Sequence, residues 1–178
     1  MKNGTALKAI SEELNQYASE HSTLDYYQQT MPSAYDLRLD EAVKQFMAAG
    51  PADRETFQSS LTPAALSHFG IYGHRAATRA MRENNQDYVQ KGLVGAVIAN
   101  YVVPDKRRVE TGLAIFYHPA AKLGVNPLDL FTLAAGYATD DLAAQLVAFG
   151  NRADVSLKKY GWKEIDAPDG ILYKFNWQ

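Results

Sequence analysis

The chain of 178 residues suits one domain of ordinary size, long enough to bury a core without covalent staples. With 47% hydrophobic and 21% charged residues it lies in the globular range, which excludes a disordered or fibrous class. It holds no cysteine, so disulfides, thiolate nucleophiles and cysteine-ligated zinc are excluded, and a net charge of −2 gives no bulk attraction to nucleic acid or anionic lipid.

The opening segment carries Glu12 and Glu13 where a secretory leader needs an unbroken apolar run. No apolar stretch approaches the roughly 20 residues that span a bilayer, so a cytoplasmic protein without membrane contact is expected. A first helix is predicted over Ala6 to Glu20 with Thr5 as its cap, because Leu7, Ile10, Leu14 and Tyr17 recur at spacings of three and four. From His21 to Ser33 the period is lost, and an irregular connection containing Met31–Pro32 and the Tyr26–Tyr27 pair is expected. Asp40 is then read as the cap of a helix ending at Ala49, with Val43, Phe46 and Met47 inward and Gly50 as the stop. Pro51 opens a short helix whose Phe57 and Leu61 face the core.

Leu61 to Ala148 reads as the helical core. Thr62–Pro63 is a strong start signal, a capping hydroxyl before a proline whose missing N–H costs nothing there. The helix it opens runs to about Asn84, and Gly73 with nearby alanines leaves room for a neighbouring helix to approach closely. Another follows to about Asn100, with Val89, Leu93 and Val97 inward. Pro104 pushes Tyr101–Val103 out of helix, Asp105 caps the next, and Pro119 should kink or end that one near His118. Gly124-Val125-Asn126-Pro127 combines a left-handed stop, its apolar contact, a cap and a first-turn proline. The last apolar stripe, Leu142, Leu146 and Phe149, follows Thr139 and is expected to stop at Gly150. Beyond it, Pro168-Asp169-Gly170 between Trp162–Asp166 and Ile171–Phe175 predicts a β-hairpin.

The candidate chemistry is sparse. His68 and His74 are six apart, off a shared helical face, so they do not form a metal pair. His118 beside Tyr117 lacks a recognisable orienting carboxylate or nucleophile. Asp140 and Asp141 sit at a helix start, where the dipole explains them. There is no Walker loop, no GxGxxG, no GxSxG and no EF-hand loop. Neither a catalytic set nor a cofactor is therefore expected. Arg75, Arg79 and Arg82, spaced four and three apart, line one strip that could meet phosphate or an acidic partner together with His74 and Lys106-Arg107-Arg108. The simpler alternative is a solvated strip paired with Glu83 or Asp87. Tyr26 and Tyr27 offer contact area with a polar tip, or else lie over the core.

The expectation is an all-α single domain over 1–178: N-terminal helices to 60, a helical core over 61–150, and a C-terminal helix and β-hairpin over 151–178. Its six to eight helices form an irregular antiparallel bundle or a short solenoid-like stack. The expected function is a non-enzymatic protein-interaction module, an adaptor, inhibitor or immunity-like partner of bacterial type. Arg75, Arg79, Arg82, Tyr26 and Tyr27 are its contact residues, and self-association through the hairpin is a further option. The alternative is an enzyme or small-ligand protein with an inter-helix pocket near His118 or His74.

Overall fold

A computed structural model describes the backbone of residues 2–101, 106–159, 163–167 and 170–174, and the side chains of 4–101, 109–110 and 112–152. The described chain is helical. It begins with α1 (Lys2–Glu20), α2 (Thr23–Tyr27), α3 (Ala34–Ala48), α4 (Pro51–Ser60) and α5 (Pro63–Glu83). It continues with α6 (Asp87–Ala99), α7 (Lys106–Ala114), α8 (Tyr117–Leu123), α9 (Pro127–Ala135) and α10 (Asp140–Lys159). No helix among the described residues is long and apolar enough to cross a membrane. Strands β1 (Lys163–Ala167) and β2 (Gly170–Lys174) pair antiparallel with Ile165 opposite Leu172. Their side chains and turn lie outside the described residues, and so does the expectation that this stretch packs on a helix or drives self-association. The same holds for Pro104, Asp105 and the side chains of Lys106-Arg107-Arg108.

The start and stop signals act locally as their chemistry requires. Thr62 accepts a hydrogen bond from the Ala65 N–H with Pro63 at the first helical position, and Asn84 ends α5 in the left-handed region. Gly124 at φ 71° closes α8, and the Asn126 side chain accepts from the N–H groups of Leu128 and Asp129 ahead of Pro127.

The α5–α6 pair is the centre of the molecule. Gly73 meets Gly92, Tyr72 meets Gly95, and Gly70 meets Ala99, so contact positions rise on one helix as they fall on the other. The helices are antiparallel and almost in backbone contact, as the small residues at Gly73 led one to expect. On one side Phe69, Tyr72, Ala76, Val94 and Ile98 join a core with Leu7, Leu14, Leu39, Phe46 and Phe57 from α1, α3 and α4. On the other side Ala80, Val89, Leu93 and Val97 join Leu113, Phe116, Phe131, Leu146 and Phe149 from α7 to α10.

Several boundaries differ from expectation, each for a packing or capping reason. The stretch from His21 to Ser33 contains a helix, α2, because Ser22 and Asp25 form a reciprocal capping box. Asp40 does not cap: Ser33 and Asp36 form the box that starts α3, which leaves Asp40 in its interior. Pro119 does not break its helix, because the break falls upstream at Ile115–Phe116 and places the proline in the first turn of α8, where no donor is needed. Gly150 does not stop α10. A Cβ there would lie 2.9 Å from Phe131, so the glycine is a point of close approach to α9. These extra short elements raise the number of helical segments above the six to eight expected.

A methyl group at Gly95 would stand 2.7 Å from the ring of the buried Tyr72. Gly95→Ala should therefore be destabilising, since overpacking of about 1–3 kcal/mol outweighs a helix-propensity gain of up to about 1 kcal/mol. Gly112→Ala, with nothing among the described residues within 4 Å of its Cβ, should raise stability instead. Urea midpoints of the two variants check the contrast, and a stabilised Gly95→Ala would refute the tight α5–α6 contact.

Candidate functional site

Ser33 sets the geometry of the α3 start, and Asp36 follows three residues later with its Oδ2 accepting the Ser33 N–H at 2.8 Å. One turn on, Asp40 shares its face. On α5, Arg75 and Arg79 repeat the same four-residue spacing, so successive turns of one helix meet successive turns of the other. Arg75 holds Asp36 bidentately, Nε to Oδ1 at 2.8 Å and Nη2 to Oδ2 at 2.6 Å, with both residues buried. Arg79 donates from Nη1 to Asp40 at 3.1 Å and from Nε to Glu83 at 3.2 Å.

Aromatic residues complete this network. Tyr26 donates its hydroxyl to Asp36 at 2.5 Å and lies under the Arg75 guanidinium at 4.8 Å. Tyr72 donates to Asp40, and Tyr88 accepts from Arg79 Nη2 at 2.6 Å beneath a guanidinium 4.0 Å from its ring. Burial opposes ionisation of Asp36. Hydrogen bonds from Arg75, Tyr26 and the Ser33 N–H outweigh it and hold the carboxyl below its usual range. Burial and the neighbouring carboxylates push the Tyr26 and Tyr72 hydroxyls far up, so both stay protonated donors. Beside them Tyr35 bonds its hydroxyl to His68 Nδ1 at 2.8 Å and stacks on Tyr17.

The remaining N–H groups of Arg75 reach outward. Nη1 donates to the carbonyls of Tyr27 at 3.1 Å and Gln29 at 2.8 Å, which fixes the backbone after α2. That backbone and α5 enclose a cleft of about 520 Å³ lined by Tyr27, Gln29, Thr30, Met31, His74, Arg75, Thr78 and Arg82. His74, Thr78 and Arg82 follow at four-residue intervals along the α5 flank. Among the described residues no carboxylate lines the cleft.

The structure divides the residues singled out by sequence. Tyr27 and Arg82 are exposed at the cleft, and Tyr27 keeps 59% of its surface. Arg75 touches the cleft from below but is committed to Asp36, while Arg79 and Tyr26 lie beneath it, buried. A solvated strip is thus not what α5 presents, although the Arg79–Glu83 pairing is found. His74 opens to the cleft; His68 is buried against Tyr35; His118 lies in the α7–α10 half and does not line it. Asp140 and Asp141 stand in the first turn of α10. Among the described residues no cluster of histidine and carboxylate side chains is arranged to hold a metal.

Sequence reasoning missed Asp36, Asp40, Tyr72 and Tyr88. The usable signal was the matching i, i+4 spacing of the two aspartates and the two arginines, together with the Ser33-x-x-Asp36 capping pattern. Compared with protein families, curated proteins and solved structures, the chain matches none.

Arg75→Ala strands a buried Asp36 carboxylate and frees the backbone after α2, so a stability loss of about 3–5 kcal/mol is expected by urea denaturation. Arg82→Ala should stay within about 0.5 kcal/mol of wild type. The thermally silent Arg75→Glu, Arg79→Glu pair that an exposed strip would allow is excluded by this burial.

Burial lowers the His68 pKa, and burial with Lys122 lowers that of His118 to about 4. The unfolded chain therefore binds protons first as pH falls below about 6.5, and stability drops by up to about 1.4 kcal/mol per pH unit for each such histidine. Asp36, depressed in the fold, adds its loss only as pH falls through the acid range below the ordinary carboxylate pKa. The melting temperature should thus decline between pH 7 and 4, and His118→Gln should flatten part of that slope. A flat wild-type profile would contradict the buried neutral histidines.

Proposed function

We propose that the chain is a non-enzymatic binding module of adaptor, inhibitor or immunity-like type, whose contact face is formed by α2, the segment after it and the adjoining flank of α5. The observation that carries this reading is the division of the arginine strip. Two arginines build a rigid base, and Arg82, with no ion pair among the described residues, is exposed and lines with Tyr27 a cleft that no acidic side chain lines among the described residues. α2 carries another large apolar side chain in solvent, Leu24 at 60% exposure. A tyrosine and an arginine in such a setting are the residue types that anchor protein interfaces. The partner that fits is an acidic segment with apolar side chains, drawn to Arg82 and covering Tyr27. General nucleic-acid binding fits less well with a net charge of −2.

A second reading is favoured by the cleft itself. Its volume of about 520 Å³ falls within the range of small-molecule sites, and His74 supplies a ring at its wall.

Tagged wild type, the double variant Tyr27→Ala with Arg82→Glu, and Lys44→Glu as a control on an exposed site elsewhere would be used to capture partners from source lysate at low and high salt. The expected result is a stoichiometric, salt-sensitive partner held by wild type and Lys44→Glu and lost by the double variant at an unchanged melting temperature. Capture retained by the double variant would overturn the assignment of the face.

A further inference from the structure

We infer that the cleft between α5 and the segment after α2 is an anion site that receives a phosphate monoester. This inference rests on the reading of that face as the contact surface and names the chemical group taken up there. The lining carries Arg82, His74, Thr30 and Tyr27, all able to donate hydrogen bonds, while the Gln29 amide donates to the Tyr17 hydroxyl at 2.7 Å, and among the described residues no carboxylate lines the cleft to repel an anion. Arg82 makes no ion pair among the described residues, so its planar fork is available for two oxygens of one ligand group. His74 is exposed on the cleft wall, and an imidazole keeps at least one ring N–H to give.

Donor number decides between anion types. A carboxylate offers two oxygens and is satisfied by one arginine fork. A phosphate monoester presents three further oxygens at tetrahedral angles, which suits donors arriving from two walls of a cleft. Arg75 contributes differently. Its charge is balanced by Asp36, and its bonds to the Tyr27 and Gln29 carbonyls hold the wall that carries Thr30 and Tyr27. A phosphate on a small metabolite and one on a phosphorylated side chain would meet the same donors.

The test is a titration of the full chain, followed by amide and Arg side-chain NMR signals, with inorganic phosphate, glycerol 3-phosphate, and a serine peptide in phosphorylated and unphosphorylated form. Sodium chloride at equal ionic strength is the control. Saturable shifts at Thr30, Thr78 and Arg82 with the phosphate compounds are expected, absent with chloride and with the unphosphorylated peptide. Arg82→Gln should weaken binding at least about tenfold, the effect of losing one charge-assisted pair, and Lys44→Gln should leave it unchanged. Tighter binding of glycerol 3-phosphate would assign a small metabolite, and tighter binding of the phosphopeptide a phosphorylated partner; either supports the inference. No saturable shift with any phosphate compound, or shifts indifferent to Arg82→Gln, would overturn it. Partner capture lost on changing Tyr27 and Arg82, but with no phosphate response, would sink this inference and leave the binding face standing. A phosphate response with no captured partner would do the reverse.

Discussion

Everything near the cleft depends on two aspartates of α3 facing two arginines of α5 at the same four-residue spacing. Because both pairs carry one offset, neither helix can slide by a turn without leaving a charge buried and unmatched. Buried ion pairs are weak sources of net stability, since desolvation cancels much of the attraction. Their contribution here is positional. Asp36 serves at once as the N3 carboxylate of the α3 capping box and as the partner of Arg75, so the start of α3 and its docking are set by one side chain. Arg75 then spends its outer N–H groups on the carbonyls of Tyr27 and Gln29, so the same residue places the segment that forms the opposite wall.

The α5–α6 seam works by the opposite means. There the helices are brought together by the absence of side chains, with Gly73 against Gly92 and Gly95 against Tyr72. Close approach turns α5 so that its apolar residues split between two cores, leaving the polar flank of His74, Thr78 and Arg82 facing outward. Tyr72 joins the two constraints. Its ring fills the space over Gly95, and its hydroxyl reaches Asp40.

Much of this was legible in sequence where the determinant is local. Thr62–Pro63, Gly124 through Pro127, and the stripes Leu7–Ile10–Leu14 and Leu142–Leu146–Phe149 each needed only capping chemistry or helical period. The failures came where a residue type has two uses. Gly150 looked like a stop and is a packing contact; Asp40 looked like a cap and is a buried counter-charge. The arginine strip is the clearest example. Spacing puts Arg75, Arg79 and Arg82 within about 60° on one helix, so no argument from α5 alone can separate them. What separates them is α3, which presents an acid to the first two and none to the third.

That separation bears on how the face would bind. A surface of three flexible arginines would have to order each one on contact, losing rotamer freedom every time, whereas here only Arg82 remains to be ordered. The other charged groups are held by partners within the fold, and the carbonyls behind Tyr27 and Thr30 are already bonded. The cost of ordering is therefore met largely on folding rather than on binding. The same commitment neutralises Arg75, so the charge a ligand would find in the cleft is concentrated at its rim, on Arg82. A ligand whose negative charge sits at one end would place that end against Arg82 and the donors of Tyr27, Thr30 and His74, and leave the remainder to Met31 and the walls between them.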